Sequence, residues 1–217
     1  MKKCALVLVA VTCVMLFAGQ AMSQIEFGVG PKLGLNFAST SISPTPNYGA
    51  GVTQGGRTTF MFGAQAELGF AKMFYIQLEP GYVGKGYSVS GSGGSVTVAV
   101  SELQFPVLFK VKFMKGIIRP YAFLGPNIGF VMSATESFAI SGQTIPDQDL
   151  KSNVSSTDFS LDFGGGAEYN VTPNIGITGD IRYSLGLANL NNNPASPSVT
   201  IKGSGFQILF GAMFHIM

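Results

Sequence analysis

Between Glu102 and Phe113 the chain alternates. Leu103, Phe105, Val107, Phe109, Val111 and Phe113 fall on one face, and Glu102, Gln104, Lys110 and Lys112 on the other. A period of two describes a β-strand with unlike faces. The segment outruns the roughly 5–6 residues usual for a soluble strand and suits the roughly 9–11 residues of a tilted membrane-crossing strand.

The same pattern recurs along the chain. In 25–37, Phe27, Val29, Leu33, Leu35 and Phe37 oppose Glu26, Lys32, Asn36 and a set of glycines. In 60–70, Phe60, Phe62 and Leu68 oppose Gln65 and Glu67, and in 74–87, Phe74, Ile76 and Leu78 oppose Tyr75, Gln77, Glu79 and Lys85. The fourth strand is 98–113. The fifth, 119–132, turns Leu124, Ile128, Phe130 and Met132 outward and Arg119, Tyr121 and Asn127 inward. The sixth, 158–169, sets Phe159, Leu161, Phe163 and Tyr169 against Asp158, Asp162 and Glu168. The seventh, 175–187, sets Ile177, Ile181 and Tyr183 against Thr178, Asp180 and Arg182, and the eighth, 200–216, sets Phe206, Phe210 and Phe214 against Gln207 and His215.

Connections alternate in length. Those at 71–73, 114–118 and 171–173 are short; those at 38–59, 88–97, 133–157 and 188–199 are long and rich in Ser, Thr, Asn, Gly and Pro. This predicts an all-β fold: an eight-stranded antiparallel up-and-down transmembrane β-barrel with short periplasmic turns and long extracellular loops. Phe27, Phe70, Phe74, Phe113, Tyr169 and Phe214 each lie on an apolar face near a short turn, where an aromatic girdle at the membrane interface is expected.

The leader sharpens the location. Lys2 and Lys3, the apolar run Ala5 to Ala18 and the small residues Ala21 and Ser23 read as a cleavable signal peptide over 1–23, leaving 24–217 as the barrel domain. The apolar run is short for a helix crossing a membrane, and Cys13 lacks the small-residue box of a lipoprotein. Cys4 and Cys13 both lie in the leader, so disulfides and thiolate metal sites are excluded from the mature chain. Removing Lys2 and Lys3 takes the 13 basic residues to 11, against 11 acidic ones. A chain this near neutrality gives no reason to expect a nucleic-acid partner. Charged residues are 11% of the chain, less than half the ~25% of soluble domains. A soluble lipocalin-like barrel or sandwich, the rival fold, would turn the Phe/Leu faces inward and leave too little charge to solvate the outside.

An eight-stranded barrel has an interior that side chains fill, which argues against a general porin. Charges there require partners. Alignment of the strands pairs Lys85 with Glu102 and Asp162 with Arg182 as structural ion pairs of the lumen, with a slip of two residues open because it preserves the faces. Glu102→Gln is expected to lower the heat resistance of the folded band on a gel.

Catalysis is not expected. His215 is the sole histidine, near the short-turn end and away from the long loops, so a Ser-His-Asp site at the outer rim is excluded. Asp147, Asp149 and Asp158 have no catalytic spacing, and Ile145 to Asp149 offers too few oxygens for calcium. Asp147 and Asp149 read as solvated loop. Gly164-Gly165-Gly166 and Gly28-x-Gly30 precede no helix, so they mark no nucleotide site. No cofactor and no metal is expected.

SELQFPVLFKVKF (101–113), RPYAFLGPNIGF (119–130) and DFSLDFGGGAEYNVTPNIGITGDIRYSLGLANL (158–190) resemble the PorT-type family of bacterial outer-membrane β-barrel proteins. FGVGPKLGLNF (27–37) and LEPGYVGKGY (78–87) fit the same pattern. The resemblance implies the outer membrane of a diderm bacterium. Gly211, Phe214 and Ile216 also resemble the last-strand signal read by the outer-membrane insertion machinery, although Leu209 stands where a polar residue is usual and Met217 follows. The expected partners are outer-membrane lipid, that machinery and a surface or secretion-machine protein. The expected function is a non-enzymatic structural or surface-interaction role through the outer loops, the first and third being the longest. The alternatives are an accessory subunit of a secretion machine, type IX-like by the resemblance, or a narrow channel.

Overall fold

The computed structural model describes residues 26–70, 73–140 and 143–216. The expected leader, Ile25 of the first strand, Ala71 and Lys72 of the first short turn, and Met217 lie outside the described residues. Among the described residues there are ten strands where the alternation predicts eight. They are β1 (Glu26–Ser43), β2 (Thr53–Phe70), β3 (Phe74–Leu78), β4 (Gly81–Gly91), β5 (Gly94–Lys112), β6 (Ile118–Ile140), β7 (Gln143–Asp149), β8 (Thr157–Thr172), β9 (Ile175–Gly186) and β10 (Thr200–Ile216). All pair antiparallel in an up-and-down order, and β1 pairs with both β2 and β10, so the sheet closes into a barrel.

Two differences account for the count. The expected strand 74–87 is interrupted at Glu79-Pro80, where proline offers no N–H to a ladder. Its halves, β3 and β4, both lie between β2 and β5. The gap is bridged: the Glu79 N–H donates to the Pro106 carbonyl at 3.1 Å, and Pro80 accepts from the Ala64 N–H at 2.9 Å. The second difference lies in the predicted loops. The expected loop 88–97 is a hairpin, with β4 and β5 meeting at Ser92-Gly93. The expected loop 133–157 is largely strand, since β6 runs on to Ile140 and β7 turns back along it. Asp147 and Asp149 therefore belong to a strand rather than a loop. Beyond the apolar belt neither face must be apolar, so these segments lose their alternation while the backbone still pairs. Among the described residues, the first connection stays irregular over 44–52, and the fourth over the longer stretch between Gly186 and Thr200.

The faces are inverted relative to a soluble barrel. Glu102 and Glu168 are fully buried, whereas Phe60 is 78% and Leu33 61% exposed. Exposed Phe, Leu and Ile cover the outside of the barrel, far beyond the few hundred Å² of contiguous apolar surface a soluble monomer carries. A register shift alters one strand. Ser101 faces Ser133 but Glu102 faces Val131, so Met132 is an extra residue on β6. Beyond this bulge the inward parity of β6 changes, and Val131 and Ala134 are both buried.

The six predicted girdle aromatics sit at the short-turn end. Phe70 and Phe74 flank the first turn with ring centroids 6.4 Å apart, and Phe74 lies 5.8 Å from Phe109. Phe27, Phe113, Tyr169 and Phe214 are exposed near the ends of their strands or, for Phe113, just past one.

Candidate functional site

The interior is charged from end to end. Toward the end with the long connections, Lys85 Nζ lies 2.9 Å from Glu102 Oε2 and 2.7 Å from Asp158 Oδ2. Deeper, Lys32 Nζ contacts Glu79 Oε1 at 2.5 Å and also Asp180. Arg182 pairs with Glu79 and lies 3.6 Å from Asp162 Oδ2. Nearer the short turns, Glu67 accepts from Lys110 at 2.9 Å and from Lys112, and Lys112 reaches Glu168 Oε2 at 2.6 Å. His215 Nε2 lies 2.8 Å from the other Glu168 oxygen. Leu108, Tyr121 and Phe123 fill space between these groups, and Lys110 Nζ sits 3.8 Å above the Tyr121 ring centre. The chemistry available to this arrangement is mutual neutralisation. Each cation bridges staves, so the charges brace the barrel across its lumen.

Both predicted pairs are brought together, but in a register two residues away from the alignment. Glu102 faces Val83, and Arg182 faces Gly164. The contacts run diagonally, within reach of long side chains. Each predicted pair is also part of a larger group. Asp158 is a second partner of Lys85, and Glu79 is a partner of Arg182 across the lumen. Alternation had placed Asp158 and Glu79 on inward faces. Their partners lie on strands that are not neighbours, which adjacency along the sheet does not reveal.

An apolar cluster lies at the end with the long connections. Val98, Val100, Val131 and Ala134 form a buried cluster, against which Tyr87, Leu150 and Val154 pack. The chain after β7 is held there by backbone bonds: the Leu150 N–H donates to the Ala134 carbonyl, and the Val131 N–H to the Ser156 carbonyl, both at 2.9 Å. The Ser155 N–H donates to the Leu190 carbonyl at 2.8 Å, and Val154 bridges Asn191, tying this segment to the fourth connection. Beneath the two segments a cavity of about 260 Å³ remains, with Lys85 among its lining residues.

Other candidate groups are engaged structurally. Asp147 Oδ1 accepts from the Ser137 hydroxyl at 2.5 Å, and Asp149 Oδ1 from the Lys151 N–H at 2.8 Å. His215 contacts Glu168 near the short turns rather than the outer rim. Among the described residues, no group of three or more His, Cys, Asp or Glu is placed to hold a metal ion.

Comparison with known proteins agrees with this architecture. The chain superposes on the outer membrane protein OprG from Pseudomonas aeruginosa with a TM-score of 0.54 at 14% identity, over 91% of this chain and 98% of that one. Neisserial surface protein A gives a TM-score of 0.46 at 16% identity, over 87% and 96% of the respective chains. At 14% identity the likeness to OprG is one of fold. No curated protein sequence matches the chain. Residues 17–192 match the family described as outer membrane protein beta-barrel domain. With its closed antiparallel sheet, polar interior and apolar exterior, the chain belongs to the outer membrane protein beta-barrel domain family.

Proposed function

We propose that this chain is a non-enzymatic barrel of the diderm outer membrane that works through its outer end. In this reading the ten strands make eight membrane-crossing staves. β3 and β4 share one place in the ring, and β7 extends outside it. The leader 1–23 directs export, and the last strand, with Gly211, Phe214 and Ile216, is recognised by the insertion machinery. Phe27, Phe70, Phe74, Phe113, Tyr169 and Phe214 form the interfacial girdle. The lumen pairs Lys85–Glu102 and Asp162–Arg182 are structural. The resemblance of 101–113, 119–130 and 158–190 to the PorT-type family supports the same architecture without supplying the role.

One observation carries the functional part of this reading: the lumen is braced by buried ion pairs and capped by apolar residues. An interior so occupied leaves the surface as the place where partners act. The outer surface is the larger and more varied one, built from the 44–52 loop, the Ser92-Gly93 hairpin, β7 and the fourth connection. Binding functions gather on such elements held by a rigid scaffold.

Site-specific crosslinking in intact cells tests this. A photoreactive residue at Ser92 reports the outer hairpin, and one at Lys115 reports a short turn. A protein partner captured from position 92 is the expected result. Capture from position 115 alone would replace the surface role with that of a machine subunit docked through its periplasmic side.

A further inference from the structure

We propose that the outer mouth of the barrel binds a small ammonium ion carried on an apolar or aromatic body. The site is the cavity of about 260 Å³ beneath residues 150–154 and the fourth connection. Barrel mouths are common places for small-molecule sites, and such sites pair apolar walls with a few placed polar groups. Here the apolar part of the wall is Val98, Val100, Leu150, Val154, Leu190 and Ile201, and the uncharged polar part is Thr40 and three asparagines. The size suits a compact ligand rather than a lipid chain or a peptide.

The charges decide the sign of the ligand. Two ionic side chains line the cavity, Lys85 and Glu136. Lys85 is already held by Glu102 and Asp158, at 2.9 Å and 2.7 Å, so it has no positive charge to spare. Arg57 donates to the Lys85 carbonyl at 3.1 Å and does not line the cavity. Glu136 makes no ion pair among the described residues. The bulge at Met132 turns Glu136 inward, opposite Val98. A carboxylate among apolar walls favours a cation that brings its own donors. Tyr87 is also in the lining, and ammonium ions are attracted to aromatic rings. An anionic ligand would meet Glu136 with no unpaired cation among the lining residues to offset it.

The site exists in the folded chain wherever that chain resides; only its access to the medium rests on the orientation proposed above. The purified barrel is reconstituted in lipid nanodiscs and titrated calorimetrically with phenethylamine, 2-phenylethanol and phenylacetate, which share a body and differ in the head. Phenethylamine is expected to bind saturably and roughly tenfold or more tighter than the alcohol, the scale of one charge-assisted contact. Phenylacetate is expected to give no binding. Glu136→Gln should abolish the advantage of the amine and leave the alcohol unchanged. Val100→Phe fills the cavity and should abolish binding of both, while also reporting the heat of partition into lipid. Where Val100→Phe fails to fold, Glu136→Gln decides. The proposal is overturned if phenethylamine does not saturate, if phenylacetate binds as well, or if the amine keeps its advantage in Glu136→Gln. None of these outcomes alters the membrane reading, which the crosslinking experiment addresses separately.

Discussion

Lys85→Met isolates the contribution of interior charge pairing. Methionine keeps much of the volume, so the change is largely electrostatic. Lys85 stands between two carboxylates that are fully or nearly fully buried. Asp158 has no other side-chain donor among the described residues, and Glu102 keeps only the Gln104 amide at 3.0 Å. Removing one partner of a buried pair costs about 3–5 kcal/mol, because the remaining charge is left uncompensated. Lys112→Met provides the contrast. Lys112 is as deeply buried and also bridges two carboxylates, but Glu67 keeps Lys110 at 2.9 Å and Glu168 keeps His215 at 2.8 Å. Its loss should cost less, about 1–3 kcal/mol, the scale of charge-assisted hydrogen bonds. Glu102→Gln leaves Lys85 paired with Asp158 and should cost about 1–2 kcal/mol. Replacing all three together, Lys85→Met with Glu102→Gln and Asp158→Asn, removes the stranded charge and should recover most of the loss. The chain has no Trp, so urea unfolding is followed by far-UV circular dichroism and by the SDS-resistant band on an unheated gel. Equal losses in the two lysine variants, or a triple variant no better than Lys85→Met, would refute the reasoning.

Two further outcomes concern the sheet and its lipid face. A Cβ at Gly125 would lie 1.9 Å from the Val107 carbonyl oxygen, whereas one at Gly93 would meet nothing within 4 Å. Gly125→Ala should therefore cost about 1–3 kcal/mol in urea unfolding, as for overpacking, and Gly93→Ala less than about 0.5 kcal/mol. Phe210 is 57% exposed on the apolar belt. Phe210→Arg should cost about 2–4 kcal/mol in lipid vesicles, and Ile216→Arg, near the interface, only about 0–1 kcal/mol. Equal penalties at the two depths in the same urea titration would contradict a lipid-facing belt.

What the sequence made legible follows from which constraints act along one strand. Lipid on one side and a packed lumen on the other force alternation, so Leu103 to Phe113 and Ile175 to Leu187 could be assigned to faces from the pattern alone. Outside the belt that constraint lapses. Gly94 to Thr97 pair throughout, and most of Gln143 to Asp149 pairs with β6, yet both read as loop, because polar residues suffice on both faces. The break at Pro80 was visible as a residue, but its effect on strand count depended on neighbours that bridge it. Charge partners were harder still. The Lys85–Glu102 contact lay within a two-residue slip of the alignment, whereas Lys85–Asp158 and Glu79–Arg182 cross the lumen and depend on barrel closure. The inward turn of Glu136 hangs on one extra residue, Met132, which no periodicity marks.

Spin-label accessibility along β5 tests most directly which face meets lipid. Both native cysteines, Cys4 and Cys13, lie within the expected leader, so single-cysteine variants can be made at Leu103, Gln104, Phe105, Val107, Leu108 and Phe109 without a competing thiol. Each is labelled, reconstituted in bilayers and relaxed by oxygen or by a water-soluble nickel complex. The expected result is high oxygen access at 103, 105, 107 and 109, with 104 and 108 shielded from both reagents. Oxygen shielding at the odd positions, or nickel access at 104 and 108, would contradict a lipid-facing apolar belt around a packed lumen.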